Sequence, residues 1–228
     1  MDDSNPSPTG SDSLVTIDVG DVELEGDLRV PEGASGLVLF AHGSGSSRHS
    51  PRNNFVAERL RERGVGTLLF DLLTETEDRD PDARFDIDLL TDRLVGAAEW
   101  VRGQSDVGDL AVGYFGSSTG AAAALRAAAR PETDAAAVVS RGGRVDLAES
   151  VLGDVTAPTL FVVGGNDHPV RQWNETASEH LGGDRSLEVV PGAGHLFEGE
   201  GQLETVADHA ADWFADHLDR TELDRRDL

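Results

Sequence analysis

Apolar and polar residues alternate from Leu14 to Val19 and again from Val22 to Val30, with Gly20-Asp21 between the two stretches. A period of two marks strands with one solvated face, and the glycine-containing pair supplies the turn of an antiparallel hairpin. Beyond Val30 the pattern changes. Gly36 to Ala41, Val65 to Phe70, Leu110 to Phe115, Ala135 to Val139, Thr159 to Val163 and Leu187 to Val190 are short apolar runs, bounded by Gly, Pro or Asp. Runs apolar on both faces predict strands buried in a parallel sheet. Between them the spacing turns helical: Ile87, Leu90, Leu94, Ala97, Ala98 and Val101 share one face, as do Leu203, Val206, Ala207, Ala210, Trp213, Phe214 and Leu218. Strands alternating with helices through right-handed crossovers predict an α/β fold, an open and mostly parallel sheet covered by helices on both faces. Ligands of such sheets bind beyond the carboxyl ends of the strands, so the loops after the apolar runs are where chemistry is expected.

The 228 residues suit one domain, placed at 13–219 between a Ser/Pro/Asp-rich tail at 1–12 and a charged tail at 220–228. There is no internal repeat and no interdomain linker. The apolar runs are about six residues long, against the ~20 that a membrane-spanning helix needs. The first residues, MDDSNPSPTGSDS, lack the basic start and apolar stretch of a leader, which makes the cytoplasm the expected address.

Charge narrows the partners. Asp and Glu number 43 against 19 basic residues, a net of −24, and every basic residue is arginine. A phosphate backbone would be repelled, which excludes nucleic acid as the expected partner. In dilute buffer this surface repels itself, whereas at molar salt the screening length falls to about 3 Å. An acidic excess without lysine is therefore read as adaptation to a salt-rich cytoplasm.

The chemistry is concentrated in four loops. Gly116-Ser117-Ser118-Thr119-Gly120 is the one GxSxG in the chain, placed after an apolar run and before the alanine-rich stretch 121–129. A tight strand-to-helix turn with small flanking residues exposes the hydroxyl of its central serine, which makes Ser118 a candidate nucleophile. A serine hydroxyl needs an imidazole base, and the imidazole needs an acid to fix its tautomer. Asp167 follows the run Thr159 to Val163, and His195 follows Leu187 to Val190. Ser, then Asp, then His, each beyond a strand, is one recognised order for such a triad. His42-Gly43-Ser44-Gly45 follows the run ending at Ala41, and the backbone N–H groups of Ser44 and Thr119 are the expected oxyanion donors. A dinucleotide fingerprint is excluded in that loop, since Arg48 occupies the third glycine position.

These motifs, HGSGS at 42–46, GSSTG at 116–120, GGNDH at 164–168 and GAGH at 192–195, resemble those of the α/β-hydrolase superfamily and its dienelactone hydrolase-like branch, over about Val22 to His217. The resemblance implies an eight-stranded sheet and hydrolysis of small esters or lactones through an acyl-enzyme. Dienelactone hydrolases proper usually carry a cysteine nucleophile, whereas this chain has Ser118 and no cysteine. Ser140 and Pro158 stand only 18 positions apart, too close for an inserted lid domain.

Other residues keep two readings at this level. Arg141 and Arg144 could bind a substrate carboxylate or form structural ion pairs, and Arg48 and Arg52 are placed likewise. Asp146 also follows a strand and competes with Asp167 as the triad acid. No motif implies a metal or a cofactor. The expected activity is a serine hydrolase acting on small carboxylic esters, lactones or thioesters. An acyltransferase, a peptidase or a non-catalytic binding protein of the same fold are the alternatives.

Overall fold

Ser11 to Val19 pairs with Val22 to Val30 from Ser11↔Val30 down to Val19↔Val22, around Gly20 at φ +58°. This is the predicted hairpin, β1 (Ser11–Val19) and β2 (Val22–Val30). It starts three residues earlier than the alternation indicated, so Ser11 and Asp12 belong to the sheet and not to a tail. The computed structural model describes residues 10–218. Most of the two expected tails lies outside that range.

The six apolar runs become β3 (Gly36–Ala41), β4 (Gly66–Phe70), β5 (Ala111–Ser117), β6 (Ala137–Arg141), β7 (Thr159–Gly164) and β8 (Arg185–Val190). The described residues form one eight-stranded sheet in the order β1-β2-β4-β3-β5-β6-β7-β8. β2 joins β4 antiparallel, and every pair from β4 through β3 to β8 is parallel. Every residue of β3 to β7 is buried, as two covered faces require.

Among the described residues five helices cover the sheet: α1 (Pro51–Glu62), α2 (Ile87–Arg102), α3 (Thr119–Ala128), α4 (His168–His180) and α5 (Gln202–His217). Val56, Ala57 and Leu60 of α1 share one core with Val206, Ala210 and Phe214 of α5. On the other face, Leu94 and Ala98 of α2, Ala122 and Leu125 of α3 and Ala177 of α4 form the second core. Trp100 and Trp213 are half-buried and pack against these cores, rather than lying within them. The interval after β6 holds only a 3-10 segment, Val145–Asp154, and no lid. No helix among the described residues is long and apolar enough to cross a membrane.

Candidate active site

β5 ends at Ser117 and α3 begins at Thr119, so Ser118 alone makes the turn, at φ 53° and ψ −119°. A non-glycine residue there is strained, at a cost of about 1–3 kcal/mol, and survives only where its surroundings hold it. Those surroundings are visible. The Ser118 N–H donates to the Arg141 carbonyl at 3.2 Å, and the Ser118 carbonyl accepts from Ala121 N at 3.1 Å and Arg144 N at 2.9 Å. Gly120 lets α3 start against β3, because a Cβ there would stand 2.1 Å from the Ala41 carbonyl oxygen. Ser118 is half-buried.

The loops after β7 and β8 are laced together. Gly165 N donates to the Val190 carbonyl at 2.9 Å, Asn166 N to Ala193 O at 2.9 Å, and Asn166 Nδ2 to Gly192 O at 3.1 Å. This stitching brings Asp167 Oδ2 to 2.7 Å from His195 Nδ1. Phe197, two residues on, also has a positive φ of 53° and is buried against the α1/α5 core, which anchors the loop behind His195. The β6 turn lies between Ser118 and His195. A Cβ on Gly142 would lie 3.5 Å from His195 Nδ1 and Cε1, and the carbonyl of Arg141 before it holds the Ser118 N–H. Among the described residues Ser118 Oγ itself makes no hydrogen bond.

The loop after β3 closes on the nucleophile turn. A Cβ on Gly43 would be 3.1 Å from Ser118 Cβ, and Ser44 N–H donates to Thr119 Oγ1 at 2.9 Å. The Ser44 N–H is therefore already taken within the protein. Its anchor is His42, buried at 6% exposure, whose Nε2 accepts the Leu72 N–H at 3.1 Å while Nδ1 faces the Gly43 carbonyl at 3.0 Å. With Nε2 accepting, the proton sits on Nδ1. Burial pushes the His42 pKa below its ordinary value, against the opposing pull of the Gly43 carbonyl, Asp71 and Asp78.

Residues 34–220 match the family described as Alpha/beta hydrolase domain. The chain belongs to this family. A dienelactone hydrolase from Anabaena variabilis is 52% identical to this hydrolase, with a TM-score of 0.89 over 92% of this chain and 99% of that one. The esterase of Pyrococcus furiosus, 16% identical with a TM-score of 0.73 over 92% of each chain, shares the fold. A Mycobacterium tuberculosis protein whose name proposes a phosphoribosyl transferase is 54% identical over 95% of this chain and 49% of its own length. The hydrolase thus spans about half the length of the curated relatives it matches first.

The remaining candidates separate. Arg48 hydrogen-bonds Asp71 and Glu25 and lies 3.8 Å from Asp27. It lines a cleft of about 410 Å³, together with His42, Ser46, Ser47, Asp71 and Leu73, whose walls include neither Ser118 nor His195. Its guanidinium pairs with Glu25 and Asp71, while Nε is buried without a hydrogen-bond partner. Arg144 is paired twice with Asp146, at 2.9 and 2.8 Å, and stacks 4.9 Å over the Trp173 ring. Asp146 is thereby bound to Arg144, and the carboxylate on His195 is that of Asp167.

Arg141, unlike Arg48 and Arg144, has no ion pair among the described residues. It is 8% exposed, and its Nε and Nη1 are sealed from solvent without a hydrogen-bond partner. Burial, helped by the like charge of Arg52, pushes its pKa down to about 10. In register it stands beside Ser117, whose Oγ is 3.5 Å from Asn53 Oδ1. Neighbours in register share a face of the sheet, so the guanidinium lies toward the start of α1. No acidic residue occupies the first turn of α1, α3 or α4, an unusual vacancy in so acidic a chain. Among the described residues no group of three or more His, Asp or Glu is arranged to hold a metal ion.

Proposed function

We propose that this hydrolase cleaves a small carboxylic ester, lactone or thioester through an acyl-enzyme on Ser118. The observation that carries the reading is the 2.7 Å contact of Asp167 Oδ2 with His195 Nδ1. A carboxylate on Nδ1 fixes the proton there and leaves Nε2 free as a base. His195 Nε2 takes the Ser118 proton as Oγ attacks the carbonyl carbon. The imidazolium, stabilised by Asp167, returns the proton to the departing alcohol, and water then hydrolyses the acyl-enzyme by the same sequence. The oxyanion is received between the Thr119 N–H and the loop of Ser44, at the positive end of α3.

Arg141 is the residue of this reading that binds a substrate carboxylate. A buried guanidinium with two unused donors at the end of β6 is matched by a planar, two-oxygen anion. The name of the Mycobacterium tuberculosis relative describes a protein about twice as long, and the residues aligned with it here are those of the hydrolase family. The test is labelling by a fluorophosphonate probe together with turnover of p-nitrophenyl acetate. Both are expected in the wild type and absent in Ser118→Ala; turnover that survives this substitution removes the reading.

A further inference from the structure

Thr119 carries a polar hydrogen to which the fold gives no use. Its side chain is buried, at 2% exposure, and Oγ1 accepts the Ser44 N–H at 2.9 Å. A hydroxyl accepts and donates at once, yet among the described residues nothing accepts the Thr119 proton. Its place is beside the nucleophile turn. Thr119 follows the nucleophile directly, and the Ser44–Thr119 bond runs past Gly43, the residue pressed against Ser118 Cβ.

We infer that the Thr119 hydroxyl is a catalytic donor to the oxyanion and that Ser44 acts through it; the inference rests on the ester-hydrolase reading above. The alternative, in which Thr119 swings aside to free the Ser44 N–H, breaks a buried hydrogen bond at about 1–3 kcal/mol. Keeping the bond costs nothing and improves the donor, because a hydroxyl that accepts an amide proton is polarised as it donates. As Ser118 Oγ bonds to the carbonyl carbon, the carbonyl π pair moves onto oxygen, and that oxygen accepts from Thr119 N–H and Thr119 Oγ1–H. Neither proton is transferred. When the tetrahedral intermediate collapses the pair returns and the alcohol leaves with the proton from His195.

The experiment compares Thr119→Val, which keeps the shape and removes the hydroxyl, with Thr119→Ser, which keeps the hydroxyl. On p-nitrophenyl acetate, valine is expected to lower kcat ~10²–10³-fold with KM within about threefold, and serine to restore kcat to within about tenfold. A short alkyl trifluoromethyl ketone, which adds to Ser118 as a hemiketal oxyanion, should lose affinity in the valine variant by a similar factor. A purely structural threonine would not separate kcat from KM, nor tie the loss of kcat to an equal loss of ketone affinity. Unchanged or faster turnover in Thr119→Val overturns the inference, since a freed Ser44 N–H would then suffice. Should valine fail to fold, Thr119→Ala against Thr119→Ser makes the same comparison without the branched methyl. Wild-type turnover that persists in Ser118→Ala removes the hydrolase reading itself, whereas Ser118-dependent turnover indifferent to Thr119→Val removes only this inference.

Discussion

Asp167 Oδ2 meets His195 Nδ1 at 2.7 Å across a sequence separation of 28 residues. The contact exists because the loops after β7 and β8 bond to one another through Gly165, Asn166 and Ala193 before either side chain is considered. Asp146, the other acid placed just beyond a strand, spends both oxygens on Arg144.

The two acids therefore predict opposite outcomes. Asp167→Asn leaves the fold but lets the imidazole take the wrong tautomer, a change that costs kcat up to ~10⁴-fold in serine hydrolases of other folds. A loss of that order is expected here with the melting temperature little altered. Asp146→Asn should keep kcat within about threefold, as a substitution outside the reacting atoms. Steady-state kinetics on p-nitrophenyl acetate with both variants checks the pair.

Arg141 predicts a trade between stability and selectivity. An unpaired buried charge costs folding free energy, so Arg141→Met should raise the urea midpoint. The same change removes charge-assisted hydrogen bonds worth about 1.5–3 kcal/mol. The kcat/KM of a p-nitrophenyl ester bearing a free carboxylate should thus fall ~10–100-fold further than that of a neutral ester of equal length. Equal losses on both esters would show that the guanidinium does not read charge.

How far the chain could be read is seen in that arginine and in Arg48. Arg48 follows β3 in a Gly/Ser-rich loop and Arg141 ends β6 ahead of Gly142-Gly143, and the sequence allows each an ion pair or a ligand. The structure gives Arg48 three carboxylates from β2 and the end of β4, and gives Arg141 none. That difference arises from tertiary neighbours far away in the chain, so residue type and local spacing could not reveal it. The sheet was legible because a strand buried on two faces has to be apolar throughout. α1 was not, since PRNNFVAERLRE buries only Asn53, Val56, Ala57 and Leu60; its signal was Ser50 capping Asn53 N with proline at the first helical position. The expected pairing of Ser44 and Thr119 as parallel backbone donors became a contact between the two, through a side chain that motif spacing does not register.

The net charge of −24 predicts a salt response. Exposed carboxylates repel one another over a Debye length of about 10 Å at 0.1 M salt and about 3 Å at 1 M. Potassium chloride raised between those concentrations should increase the melting temperature. A fall across the same range would contradict the reading of this surface as one suited to salt.

His42 predicts how stability depends on acidity. Its pKa in the folded protein lies below the ordinary 6.5, because burial disfavours the imidazolium. Between the two values the unfolded chain binds more protons than the folded one, so stability rises with pH. The contribution is complete above about 6.5 and is lost as the pH falls below it toward the folded value. Protonation at Nε2 would also turn the acceptor of the Leu72 N–H into a second donor, breaking the bond that ties the loop of Ser44 to the end of β4. Glutamine at this position offers an amide oxygen to Leu72 and does not titrate. Urea midpoints at pH 5 and pH 7.5 in constant salt should therefore differ less in His42→Gln than in the wild type. An undiminished difference would place the acid sensitivity in other groups.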